Sequence, residues 1–207
     1  MKKVFLLLCA AMTISSCAVA QQTIELPAPT KSSAMTLAEV LEQRQSSRSF
    51  SEQEISDQTL SDLLWMACGV NRTESGKLTV PSARNMQDVK VYVLRKDGTW
   101  LFDAHANNLI KVSDADLRKA AGTPQASVQE APLFLILVSD QRSQQRANEK
   151  WGWIDAGYVS QNICLACTAL GLSTVPRAYM DNKTITETLN LGEGQFLILN
   201  HPIGYPK

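Results

Sequence analysis

At 207 residues with 44% hydrophobic content, the chain is long enough to bury one sizeable core and too short for two to be the natural count. Twenty basic residues balance twenty acidic ones and no Lys/Arg-rich block interrupts the sequence, so neither nucleic acid nor an anionic membrane surface is an indicated partner.

Lys2 and Lys3 precede an apolar run over 4–14, long enough for the core of a signal peptide and too short to span a bilayer. Ala18-Val19-Ala20 before Gln21 makes an A-x-A cleavage site, which assigns residues 1–20 to export and the remainder to the periplasm. A competing reading takes Ile14-Ser15-Ser16-Cys17 as a lipobox, with membrane contact only through an acylated Cys17. Cleavage after Ala20 leaves Cys68, Cys164 and Cys167, an odd number that does not support a disulfide scaffold. Cys164 and Cys167 fall within a stretch of helical apolar spacing and read as small buried hydrophobes.

Residues 21–34 mix two prolines with polar residues and no periodicity, an extended leader that tethers or wraps, before a folded domain over 35–207. Thr36-Leu37-Ala38-Glu39 is a capping box, and Leu37, Val40 and Leu41 form a short apolar stripe behind it. Ser56 or Asp57 caps a second helix over 58–67, with Leu60, Leu63, Leu64 and Ala67 on one face and Gly69 ending it. Strands over 89–94 and 99–102 flank Lys96-Asp97-Gly98, a hairpin signal. The apolar run 133–138 suits a central strand, a long helix follows over 152–170 closed by Gly171, and 195–199 makes the last clear strand. Strands and helices mix around one sheet, which defines an α+β domain.

The chemistry concentrates in Arg44-Gln45-Ser46-Ser47-Arg48-Ser49-Phe50. In an extended chain alternate side chains share a side, so Arg44, Ser46 and Arg48 would all face one anionic ligand; alternatively the two arginines only complement the dipole at a helix end. The run resembles the Arg-x-Ser-x-(Arg/Lys)-x-Phe signature of the nitroreductase family of FMN-dependent oxidoreductases. Further segments follow in family order: Leu63-Leu64-Trp65 with Gly69-Val70-Asn71-Arg72, Pro81-Ser82-Ala83-Arg84-Asn85, Asp155-Ala156-Gly157 with Gln161-Asn162, Gly171-Leu172 with Val175-Pro176, and Gly204-Tyr205-Pro206. The likeness covers about residues 35–207 and is nearest to the branch that includes peptide-heterocycle dehydrogenases, although the chain has no Lys-Tyr dipeptide of the kind that branch uses.

That resemblance implies a central mixed or antiparallel sheet flanked by helices, an intertwined homodimer, and noncovalent FMN. It implies Arg44 and Ser46 at the phosphate and ribityl end, and Arg48 near the pyrimidine ring, where a cation favours the charge of the reduced flavin. It implies that Pro81, Ser82 and Asn85 reach across the dimer to the other subunit's flavin. It further implies that the backbone of Pro176, Arg177 and Ala178 passes the reactive edge of the ring, where many relatives carry glycine and this chain carries Ala178 and Tyr179. Lys207 stands where a phosphate-binding charge is expected. The flavin carries the reaction, so no side chain is assigned as catalytic, and small redox substrates are the expected partners in a ping-pong cycle.

Other chemistries find little support. His105 and His201 are isolated and no metal is assigned; Asn182-Lys183-Thr184 reads as a loop; no Gly-x-Gly-x-x-Gly follows a strand; and no serine or cysteine comes with an identifiable base. An electron-carrier module and a flavin-free binding protein on the same fold are the alternative readings.

Overall fold

The computed structural model describes residues 21–145 and 147–207. The apolar run 4–14, Cys17 and the Ala18-Val19-Ala20 site lie outside the described residues.

The centre of the fold is β7 (Leu133–Asp140), the continuous apolar run of the sequence. Its alternating side chains enter two different cores. Leu133, Leu135 and Leu137 pack with the helices α2 (Asp57–Cys68) and α5 (Glu149–Ala169). Phe134, Ile136 and Val138 pack with Phe50, Leu117, Ala121, Val128 and Ile185 on the opposite face. A strand with no polar side therefore has no solvent face.

Around it, β1 (Thr23–Glu25), β4 (Val89–Arg95), β5 (Gly98–Asp103), β6 (Asn108–Ser113), β8 (Ser173–Thr174) and β9 (Gln195–Gly204) complete a seven-stranded sheet. The order is β1-β6-β5-β4-β7-β9-β8 and every pairing is antiparallel. The expected hairpin joins β4 to β5, with Arg95 opposite Gly98. Gly98 adopts φ +132°, and a Cβ there would stand 2.6 Å from the Ser113 carbonyl oxygen, so only glycine fits.

Local signals set the helix ends. Thr36 and Glu39 make both hydrogen bonds of the capping box before α1 (Leu37–Gln43). The stripe behind it is not a core face: Val40 is buried, whereas Leu37 and Leu41 are 66% and 53% exposed. Ser56 rather than Asp57 caps α2, accepting from the Thr59 N–H at 3.1 Å. Gly69 ends α2 with negative φ; a Cβ there would lie 2.5 Å from the Trp65 ring, so the glycine admits close packing under the indole rather than a left-handed turn.

Three departures from the sequence reading have clear causes. The leader is part of the fold, since Thr23–Glu25 pair with Leu109 and its neighbours as β1 and the Thr30 N–H donates to Asp62 at 2.6 Å. β9 continues five residues past the apolar run, through Asn200, His201 and Pro202, because its polar residues find buried partners. Asn182-Lys183-Thr184 opens the helix α6 (Asn182–Thr188) rather than a loop, capped by Asp181, which accepts from the Thr184 N–H and hydroxyl. The short helices α3 (Arg118–Gly122) and α4 (Ala126–Gln129), and a small ribbon of β2 (Val70–Arg72) with β3 (Lys77–Leu78), complete the fold.

Candidate functional site

The basic run leaves α1 at Arg44 and crosses the end of the sheet without helix or strand structure. It is pinned at two points: the Ser47 N–H donates to the Thr174 carbonyl and the Ser51 N–H to the Tyr205 carbonyl, both at 2.9 Å. Phe50, 2% exposed, anchors it in the second core. Between these anchors Arg44 is half-buried, and Ser46 and Arg48 are exposed. No hydrogen bond or ion pair within the described residues engages any of these three side chains.

Beneath the run lies a polar group that the sequence reading left unassigned. His201 is wholly buried on β9, with Nε2 2.9 Å from Ser160 Oγ on α5 and Nδ1 3.4 Å from Thr174 Oγ1 on β8. Burial pushes its pKa down to about 3, so the ring is neutral. His201 thus fixes Thr174, whose carbonyl holds Ser47. Cys164 and Cys167 lie alongside on α5; burial raises both thiols, with Arg44 opposing the shift at Cys164. They are buried packing residues, and Arg44 is close to the helix at that level.

Arg177 turns inward. Its guanidinium donates to the Ala121, Gly122 and Thr123 carbonyls, to Gln125 Oε1 and to Asn200 Oδ1 at 2.8 to 3.1 Å. Its backbone is equally engaged: its N–H donates to the Asn200 carbonyl, its own carbonyl accepts from the Asn200 N–H, and the Asn200 amide spans to the Arg177 and Tyr179 carbonyls. Desolvation, and to a lesser degree the charge of Arg48, lower its pKa. A cation caged by carbonyl oxygens therefore stands near Arg48, while Pro176, Ala178 and Tyr179 remain exposed, Tyr179 to 78%.

The loop 81–87 is separate from this group. Ala83–Asn85 form a 3-10 turn; the Ala83 N–H donates to Asp155 Oδ2 at 2.8 Å, and the Gln87 N–H to Ser82 Oγ at 2.9 Å. Pro81 and Asn85 are exposed. Asp155 and Cys164 are nine residues apart on α5, about 13 Å along the helix axis. Within one chain the loop is tied to α5 at Asp155, and Arg44 lies toward Cys164, further along the same helix. Lys207 is exposed, its Nζ 3.7 Å from the exposed Glu130 carboxylate.

Sequence reasoning singled out Arg44, Ser46 and Arg48 from their alternation and left the buried polar groups His201, Asn200 and Gln125 unassigned. One signal was present: Asn200-His201 is a polar pair inside an apolar strand, and buried polar residues require partners.

An antiparallel sheet between two helical layers, with the unpaired cations Arg44 and Arg48 beside its end, defines an α+β protein. The chain belongs to the nitroreductase family, whose model matches residues 41–205, and is accordingly an oxidoreductase. The crystal structure of a proposed nitroreductase from Ralstonia eutropha superimposes with a TM-score of 0.83 at 33% identity, covering 89% of this chain and 90% of that one. A proposed nitroreductase of Methanocaldococcus jannaschii is 29% identical over 182 residues, 81% of this chain and 90% of its own. A chain of the Escherichia coli microcin synthetase complex shares the fold alone, with a TM-score of 0.69 at 14% identity over 97% of this chain and 85% of that one.

Proposed function

We propose that the chain is an exported, periplasmic FMN-dependent oxidoreductase that acts as a homodimer on small redox substrates. The observation that carries this reading is that half-buried Arg44 and exposed Ser46 and Arg48 have no side-chain partners among the described residues, on a segment pinned at Ser47 and Ser51. Two guanidiniums and a hydroxyl so arranged fit a phosphate-bearing, hydrogen-bonding ligand.

Bound FMN would supply hydride chemistry in two half-reactions, accepting from a donor and giving to a small organic acceptor. The chain's own residues hold and polarise. Arg44 and Ser46 bind the phosphate and ribityl end, while Arg48, supported by the nearby charge of Arg177, favours negative charge on the pyrimidine edge. Asn200 fixes the 177–179 backbone, leaving Pro176, Ala178 and Tyr179 to shape the substrate side. The loop 81–85 is tied to α5 at Asp155 while Arg44 lies toward Cys164, nine residues further along that helix, and on this reading Pro81, Ser82 and Asn85 serve a partner's cofactor. The expected compartment lacks a free NAD(P)H pool, so another donor supplies the electrons.

FMN titration of the purified protein, followed by flavin fluorescence, tests the assignment. Arg44→Ala removes a charge-assisted contact of about 1.5–3 kcal/mol, so Kd should rise about tenfold or more. An unchanged Kd, or no FMN binding by the unmodified protein, would remove the reading.

A further inference from the structure

We infer that Asp88 and Asp155 share one proton at the start of α5, and that this proton holds the loop 82–87 in place. Both residues are only 2% exposed. Asp88 Oδ2 accepts from the Ser139 hydroxyl and from Gln141 Nε2, and Asp155 Oδ2 accepts from the Ala83 N–H. Asp88 Oδ1 is buried without a hydrogen-bond partner, and the Asp155 carboxyl lies within hydrogen-bond reach of Asp88. Two buried carboxyls side by side repel when both are charged; one proton on Asp155 removes the repulsion and gives Asp88 the donor it lacks. Burial first, then the Asp88 carboxyl, push Asp155 up to about 6 against the opposing Ala83 hydrogen bond.

The loop needs holding. Arg84, Asn85 and Gln87 adopt φ of +53°, +57° and +48°, a left-handed region that side chains other than glycine enter at a cost. Besides the Ala83 tether, the loop is kept by Gln87, whose N–H donates to Ser82 Oγ and whose amide donates to the Gly76 carbonyl. The charged and titratable groups packed around the pair do not replace the proton. Lys90 on β4 is drawn to the Gln87 carbonyl, Asp140 on β7 is paired with Arg142, and burial pushes the Cys68 thiol at the end of α2 to about 12. On α5 itself Glu149 accepts from the Trp153 indole. Gly152 seats the helix against Ser139, since a Cβ there would stand 2.6 Å from its Oγ.

When Asp155 releases the proton to solvent, its oxygen accepts more strongly from the Ala83 N–H, but burial and the facing Asp88 carboxylate together outweigh that gain, so the closed loop becomes less stable relative to an open one in which Asp155 is solvated. Asp155 and Asp88 are thus positioning residues whose effect depends on pH. The inference rests on the proposed function only in that the loop serves the flavin.

The test compares hydrogen exchange of peptides spanning 80–90 in the unmodified protein and in Asp155→Asn, from about pH 5 to about pH 8. The asparagine amide donates to Asp88 and accepts from the Ala83 N–H without titrating. Relative to that variant, protection in the unmodified protein should fall about tenfold across the range. FMN Kd is measured over the same range, the ionisation of the ligand's phosphate being common to both proteins. A parallel rise in Kd supports both readings; an exchange step with constant Kd supports the shared proton and removes the loop from the flavin site. Exchange rates that track each other within about twofold at every pH overturn the inference. If Asp155→Asn does not fold, Asp88→Asn, which also replaces the shared proton by an amide, gives the same comparison.

Discussion

His201 is the residue on which the basic run depends most indirectly, through Thr174 and then Ser47. Its buried neutral ring also sets a pH dependence with a definite sign. Because burial lowers its pKa to about 3, from an ordinary value of about 6.5, the folded state binds fewer protons than the unfolded chain between these values. The stability it contributes is complete above about pH 6.5 and is lost as pH falls, at up to about 1.4 kcal/mol per pH unit. Asp155 has the opposite sign: its pKa is raised to about 6, so stability falls as pH rises between about 4 and 6. The two slopes oppose each other in that window. His201→Gln keeps a side-chain amide near Ser160 and removes the imidazole. We expect the stability difference between the two proteins to change by about 1.4 kcal/mol per unit between about pH 6 and about pH 4, in favour of the variant as pH falls. Denaturant unfolding at several pH values measures it, and a constant difference would mean that the ring does not titrate as described.

At the level of elements, the parts legible in the sequence were those carrying their own signal. The Thr36/Glu39 box, the Ser56 cap, the Asp97-Gly98 hairpin, the apolar β7 and the helical spacing of α5 each depend on neighbours in the chain. β1 was illegible for the converse reason: three residues with an alternating polar exposure become a strand only because β6 offers an edge. The same holds for the site. Alternation brought Arg44, Ser46 and Arg48 into view, but Ser160 meets His201 across 41 residues and Arg177 meets Asn200 across 23, distances over which local spacing carries no information. The leader illustrates the consequence, because composition leaves tethering and wrapping equally open while its contacts make it a structural element. Leu26 is buried, Ser61 donates to the Pro27 carbonyl, and Asn107 donates to the Leu26 and Pro27 carbonyls. Deleting residues 21–30 should therefore cost about 3 kcal/mol or more, from the lost burial of Leu26 and from Asp62 losing the Thr30 N–H. Calorimetry of the truncated protein checks this, and an unchanged Tm would restore the tether reading.

For the whole molecule, the decisive quantity is the separation between the two candidate parts of the cofactor site. The loop 81–85 is fastened to α5 at Asp155, whereas Arg44 approaches α5 at Cys164. Those anchor points are nine residues apart, about 13 Å along the helix, a spacing that two chains brought together would bridge. On α5, Trp151, Trp153, Ile154 and Tyr158 are 39% to 46% exposed, apolar surface that a second chain would cover in the proposed homodimer. If each site takes its basic run from one protomer and its loop from the other, loss of function should be separable between chains. Arg44→Ala and Asn85→Ala homodimers should each be impaired in FMN-dependent turnover. A heterodimer of the two would hold one site carrying both substitutions and one carrying neither, so mixing after dissociation and reassociation should restore up to about half the activity of the unmodified protein in the heterodimer fraction. Differently tagged chains allow that fraction to be isolated before assay. If the isolated heterodimer has no more activity than the mean of its parents, the basic run and the loop act within one chain, and the intersubunit site is wrong.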